Sequence, residues 1–351
     1  MTAPVPVAVP VLSSRVDALA SEIALDPQQI SMSRLPSLPN VTNLKINCNQ
    51  IETLDRYPAL RVLQCMGNKL TYLPAYPKLR QLHCQNNQLI HLSACPKLTE
   101  LMCSHNQLAS LPELPRLQTL DCSANPLVFL FDYPKLVMLT CMKTALTQLP
   151  SMPLLQGLDA RGSQLTSLPW LPELNALSIA NNQLEHLPPV LSKIMVINCA
   201  NNQMADSIVT YPNLQRLDCS GNQLTGLSAQ PALLRLNCAK NRLVMMESFP
   251  ELLSLSCNDN KLTLICDQPK LEVLNCTNNQ LERLPELPEL VNLFAAGNQL
   301  VNVPHYPKLT AVDLTGNPIA ARMRNPTSVE EYHALYAAGE SACPGPCVMV
   351  H

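Results

Sequence analysis

A chain of 351 residues with a formal net charge of -2 and 14% charged residues offers no basic field for a phosphate backbone and contains no Lys/Arg run, which excludes nucleic acid as a partner class. No apolar run is long enough to span a bilayer, and the apolar stretch from Met1 to Leu12 is broken by Pro4, Pro6 and Pro10 and uncharged before Arg15, unlike a secretion signal. A soluble, unprocessed chain with no membrane partner is expected.

Residues 1–12 lack periodicity and read as a flexible extension. Ser13 or Ser14 caps a helix predicted over Arg15 to Leu25, where Val16, Leu19, Ala20 and Ile23 share a face. Residues 13–34 are therefore expected to form an N-terminal helical cap. From 35 to 320 one phrase recurs, as in Leu60-Arg61-Val62-Leu63-Gln64-Cys65-Met66-Gly67-Asn68-Lys69-Leu70, or L-x-x-L-x-C-x-x-N-x-L. Its Asn falls at 49, 68, 87, 106, 125, 182, 202, 222, 241, 260, 279, 298 and 317, with Thr144 and Ser163 standing in between, so that 15 copies follow at intervals of 19 or 20 residues.

Each copy divides into two halves. Around L-x-C a short parallel strand is expected, with Leu and Cys inward and the residues between them on a concave face. The Asn amide then satisfies backbone groups of adjacent coils that burial would leave unpaired, and the shorter Thr144 and Ser163 should do this less well. The second half, L-x-x-L-P-x-Y-P, as in Leu70 to Pro77, is too short and too proline-rich to close a helix, so the convex side is expected to be extended, near polyproline II. Ten of the 15 cysteines (Cys65, Cys84, Cys103, Cys122, Cys141, Cys199, Cys219, Cys238, Cys257 and Cys276) occupy one inward register. Side chains repeated in one rotamer on successive coils run parallel and do not turn into S–S geometry, so a column of buried free thiols in a reducing compartment is expected.

After Asn317-Pro318-Ile319 the pattern stops. Ser328-Val329-Glu330-Glu331 reads as a capping box, with Val329, Tyr332, Leu335 and Tyr336 on one face of a helix ending at Gly339. A C-terminal helical cap is assigned to 321–340 and a loose tail to 341–351. Cys343, Cys347 and His351 in that tail make no complete metal site.

The motif and period resemble those of leucine-rich repeat proteins, which implies a solenoid. L-x-x-L-P-x-L-P-x-L at Leu108 to Leu117, Leu165 to Leu174 and Leu281 to Leu290 resembles the short-repeat arrays of bacterial effectors delivered into host cells. Cys at the inner register is similar to arrays encoded by large DNA viruses and some bacteria. One effector subgroup carries a C-terminal ubiquitin ligase, but the 34 residues after Asn317 are too few for it.

Departures from the repeat mark candidate contacts. Val62, Met66, Met102, Met138 and Met142 should share the concave face, where exposed Met adapts to a partner's shape. His83 and His105 fall on or near that face with Glu100 and Asp121 close in register, yet no nucleophile or phosphate loop accompanies them, and no catalytic, cofactor or metal site is assigned. On the flank Phe131 replaces the usual Pro and Phe129 takes a normally outward position. The reading is a non-enzymatic cytoplasmic scaffold, without cofactor or small-molecule substrate, that binds a protein through Val62, Met66, His83, Met102, Phe129, Phe131, Met138 and Met142 of repeats 2–6. A structural protein of a large virus particle and a bacterial effector acting in a host cell are the alternatives.

Overall fold

Leu at every nineteenth or twentieth position, flanked by residues that can face water, makes one three-residue strand per repeat. The computed structural model describes residues 22–24 and 39–337 in two compact units, Met1–Leu171 and Pro172–His351. The first holds β1 (Glu22–Ala24), β2 (Asn43–Lys45), β3 (Val62–Gln64), β4 (Gln81–His83), β5 (Glu100–Met102), β6 (Thr119–Asp121), β7 (Met138–Thr140) and β8 (Gly157–Asp159), each parallel to the next and in register. The second holds β9 (Ala176–Ser178), β10 (Val196–Asn198), β11 (Arg216–Asp218), β12 (Arg235–Asn237), β13 (Met245–Met246), β14 (Ser254–Ser256), β15 (Leu264–Ile265), β16 (Val273–Asn275), β17 (Asn292–Phe294) and β18 (Ala311–Asp313). Here β13 and β15 pair with each other on the back of the coils, while the others form the parallel face. The fold class is the leucine-rich repeat solenoid.

From β2 onward the middle residue of each three-residue strand is fully or nearly fully buried, as is the Cys two positions on where the repeat has one, in a core shared by successive coils. The same register also takes Ile46, Ala160, Ile179, Ala295 and Leu314, all buried, so the thiols fill it as small hydrophobes. The residue before each Asn turns the chain through the left-handed region: Asn86, His105 and Lys143 have φ of 55°, 56° and 53°, and Gly67 and Gly221 have 66° and 65°. Asn106 shows how the ladder works. Its Nδ2 donates to the carbonyls of Cys84 and Cys103, each at 3.0 Å, and its Oδ1 accepts the Leu89 N–H at 2.9 Å. Thr144 and Ser163 manage less, as expected. Thr144 Oγ1 reaches only the Cys141 carbonyl and the Ser163 hydroxyl, and among the described residues no side chain accepts the Leu127 or Leu146 N–H.

The recurring Tyr-Pro has a second explanation beyond stiffness. In Tyr76-Pro77-Lys78-Leu79 the Leu79 N–H donates to the Tyr76 carbonyl at 3.1 Å, closing a β-turn with Pro at the position where its fixed φ is already correct. The same bond recurs at Leu136 to Tyr133 and Leu214 to Tyr211. The residue before this Pro builds a ladder of its own on the back. The Tyr133, Tyr211 and Tyr306 hydroxyls donate to the carbonyls of Pro112, Pro188 and Pro285 in the preceding coil. Gln230 and Gln268 do the equivalent with their amides, accepting the N–H of Tyr211 and Phe249 and donating to the carbonyls of Val209 and Glu247.

The ends are closed differently. At the N-terminus the helix expected over Arg15 to Leu25 is corrected at Glu22–Ala24, which form β1 with Ile23 opposite Leu44. The unpaired edge of β2 outweighs the helical spacing, since each exposed ladder group it pairs is otherwise left open, and Glu22 also meets Lys45 at 3.1 Å. The rest of that helix and the 1–12 extension lie outside the described residues. At the C-terminus a short 3-10 helix, Pro318–Arg322, precedes α1, Val329–Ala337. The Ser328 hydroxyl caps the N–H of Glu331 at 3.1 Å, whereas the Glu331 carboxylate turns back to the N–H groups of Arg324 and Asn325. Tyr332 is fully buried; its hydroxyl donates to the Pro304 carbonyl at 2.7 Å and accepts the Tyr306 N–H at 2.8 Å. The predicted helix end at Gly339, and Cys343, Cys347 and His351, lie outside the described residues.

Candidate functional site: the strand face and back of the first unit

All eight candidate contact residues fall in the first unit, on two opposite sides of its core. Val62 and Met138 occupy the first outward column of the strands, in one register line through Gln81, Glu100 and Thr119. His83 and Met102 are neighbours in the second column, between Gln64 and Asp121. Met66 and Met142 lie just past the strands, their N–H groups held by Asn47 Oδ1 and Ser123 Oγ in the preceding coils. Met138 is 48% exposed, and Val62, Met66, Met102 and Met142 are half-buried. A Cβ on Gly157 would come within 2.5 Å of Met138 Cε, so the Met138 thioether lies over the space this glycine leaves. At Met142 the sulfur instead faces the Arg161 guanidinium at 3.4 Å, which is itself held by Asp159.

His83 Nε2 stands 2.7 Å from Glu100 Oε1, and Gln81 Nε2 donates to Glu100 Oε2 at 3.0 Å. The carboxylate is thus engaged on both oxygens. His105 does not join them; it occupies the left-handed turn position, exposed. Asp121 is turned to the Ser123 N–H at 3.1 Å. Among the described residues no three His, Cys, Asp or Glu side chains stand close enough to hold a metal ion, and no helix is long and apolar enough to cross a membrane.

Phe129 and Phe131 lie on the back, in the segment between β6 and β7. Leu127, Leu130 and Tyr133 of that segment point into the core, which leaves the intervening side chains outside, 45% and 36% exposed. The two rings meet edge to face at 5.3 Å, with Val128 also exposed beside them. One flat partner cannot touch this pair and the methionines together, because the core separates them. Sequence reading missed Trp170, which is 67% exposed. It is the single Trp of the chain and lies between Pro169 and Leu171 at an outward register, a signal that was present in the pattern.

The thirteen cysteines of the described residues are free thiols, and the ten of the inner register are all buried. Burial alone pushes the Cys65 thiol far up, and burial with neighbouring thiols does the same at Cys84 and Cys257. The Cys276 thiol is pushed up to about 12 by burial. Cys95, at the Tyr position of the back ladder, is buried as well, and Cys48 is exposed.

Family profiles match over residues 96–132, described as Leucine Rich repeats (2 copies), and over residues 213–231, described as Leucine Rich Repeat. No curated protein matches the chain. Among solved structures it is similar to YopM, a leucine-rich effector protein from Yersinia pestis, with 30% identity, 86% of this chain and 85% of that one covered, and a TM-score of 0.63. A leucine-rich repeat protein of Leptospira interrogans shares its fold at 24% identity, 86% and 82% coverage and a TM-score of 0.67. The functional domain of InlJ from Listeria monocytogenes, which includes a cysteine ladder, matches at 25% identity with a TM-score of 0.63, covering 75% of this chain and 64% of that domain. An identity of 30% sustained along most of both chains carries more than a shared architecture, and with the period, the Asn ladder and the thiol column in hand, the chain belongs to the leucine-rich repeat family.

Proposed function

We propose that the chain is a non-enzymatic scaffold that binds a protein partner through the strand face of repeats 2–6, with the back-face phenylalanines as a second contact. The observation that carries this reading is the exposed Met138, with half-buried Met66, Met102 and Met142, where the N–H groups of Met66 and Met142 are held by the preceding coils. Such a surface keeps its shape while its thioethers adapt, a combination suited to protein recognition. The column of buried thiols supports a reducing compartment as its place of action. A second reading, an effector acting in a host cell, is favoured by the likeness to YopM, which is itself an effector. A structural role in a large assembly would use the back and the ends instead.

The test begins with affinity capture from the native source and then compares two variants for the recovered partner. Replacing Met66, Met102 and Met142 with Ser is expected to leave the circular dichroism unchanged and to weaken binding at least about tenfold, because a few central apolar groups usually dominate. Replacing Phe129 and Phe131 with Ser reports on the back. If both folded variants retain the partner, neither surface is the binding site.

A further inference from the structure

A groove of about 410 Å³ on the strand face of the second unit has a different chemistry from the methionine surface. It is lined by Arg216 and Arg235, by Asn198, Asp218 and Asn237, and by Ser256. Arg216 of β11 and Arg235 of β12 are direct register partners on adjacent parallel strands, so their Cα atoms lie about 5 Å apart and two guanidinium groups rise side by side from one face. Like charges placed opposite each other in a sheet destabilise it. Nothing among the described residues neutralises them: neither arginine makes an ion pair. The nearest carboxylate in register, Asp218, is engaged elsewhere. Its Oδ1 accepts the Ser220 N–H at 3.1 Å and the Ser220 hydroxyl at 2.6 Å.

The flanking amides are oriented by the same device. Asn198 Oδ1 accepts the Ala200 N–H at 3.2 Å, and Asn237 Oδ1 accepts the Ala239 N–H at 3.3 Å. Those bonds fix which way each amide points, since a flipped amide would set two donors against each other. The Nδ2 groups of Asn198 and Asn237 are left with no acceptor among the described residues. Two guanidinium forks and two amide donors therefore share one groove with a single carboxylate.

We propose that this groove binds the carboxylate side chain of a Glu or Asp in an extended segment of a partner protein, with Arg216 and Arg235 clamping the oxygens and Asn198 or Asn237 donating to the segment's backbone. A carboxylate matches the fork of an arginine bidentately. Asp218, between the two asparagines, sets the charge limit: it opposes a phosphate dianion more strongly than a carboxylate monoanion. Two arginines on a chain of net charge -2 also give no track for a polyanion. The site is separate in sequence from the methionine surface, and its failure would leave that surface untouched.

The experiment is panning of a displayed library of random twelve-residue peptides on the full chain, with counter-selection on the Arg216→Gln, Arg235→Gln double variant. Both arginines are exposed, so the variant is expected to keep its circular dichroism and melting temperature or to melt slightly higher. Surviving peptides are expected to be enriched in Glu or Asp. Synthetic copies should bind in fluorescence anisotropy and lose about tenfold or more in affinity on either single variant, and again when their acid is changed to Gln, as expected for loss of a charge-assisted hydrogen bond. The proposal is overturned if no peptide survives counter-selection, if survivors lack acidic residues, or if a phosphoserine in place of the acid or an oligothymidylate binds tighter than the acidic peptide.

Discussion

Between pH 9 and pH 10 the folded array is expected to lose most or all of its stability, in a cooperative transition followed by circular dichroism. The cause is the thiol column. A thiol is neutral when protonated, and burial lifts each of the ten well above its ordinary value near 9. The folded chain then holds protons that the unfolded chain releases. The stabilisation is complete below the unfolded pKa, near 9, and disappears as pH rises from there toward the folded values, about 12 at Cys276. Each thiol contributes on the order of 1 kcal/mol per pH unit in that window. Ten acting together amount to on the order of 10 kcal/mol by pH 10, comparable to the whole stability of a typical domain. Replacing Cys103, Cys122 and Cys141 with Ala should reduce the slope of stability against pH by about a third, whatever it does to stability at neutral pH. A flat profile from pH 8 to 10.5 would mean that the column ionises in place and is not dry. At pH 8 a thiol reagent should reach Cys48 and the half-buried Cys266 of the native protein and leave the ten untouched until denaturant is added.

Asn106→Ala should cost about 1–3 kcal/mol in urea denaturation. The change leaves the buried Leu89 N–H without its acceptor, at ~1–3 kcal/mol, while the carbonyls of Cys84 and Cys103 lose one donor each and keep the Nδ2 groups of Asn87 and Asn125. The reverse experiment is built into the chain. Thr144→Asn gives the Leu127 N–H the acceptor it lacks and is expected to stabilise by about 1–2 kcal/mol. A loss under about 1 kcal/mol at Asn106 would show that water replaces the amide, and the ladder would then be a consequence of the fold and not a support of it.

The period, the inward Leu and Cys registers and the Asn ladder were legible because each is a strict function of position. Fifteen repetitions leave one face for each residue type. What escaped was whatever depends on a bond between coils that composition does not announce. The β1 strand at Glu22–Ala24 answers to the open edge of β2, and no propensity in Glu-Ile-Ala indicates it. The Gln230 and Gln268 amides stand where Tyr or Leu is customary, and only their bonds to Tyr211 and Phe249 reveal a second ladder. At the candidate site the outward registers were readable, so Met138 is exposed as its position implies. The separation of His105 from His83 was not, because it rests on a left-handed turn residue. The Arg216 and Arg235 pair is visible at a spacing of 19, but its lack of a counter-ion is a property of where Asp218 points.

Tyr332 takes from α1 the place that a next coil's Tyr would hold, bonding Pro304 and Tyr306 as Tyr306 bonds Pro285. The terminus thus docks largely on backbone groups, since Tyr336 and His333 add contacts to the Val303 and Leu309 carbonyls and the Pro326 carbonyl accepts the Leu314 N–H. Duplication or deletion of whole 19-residue units upstream leaves that socket intact. The number of coils is therefore set independently of the plug that covers the last of them.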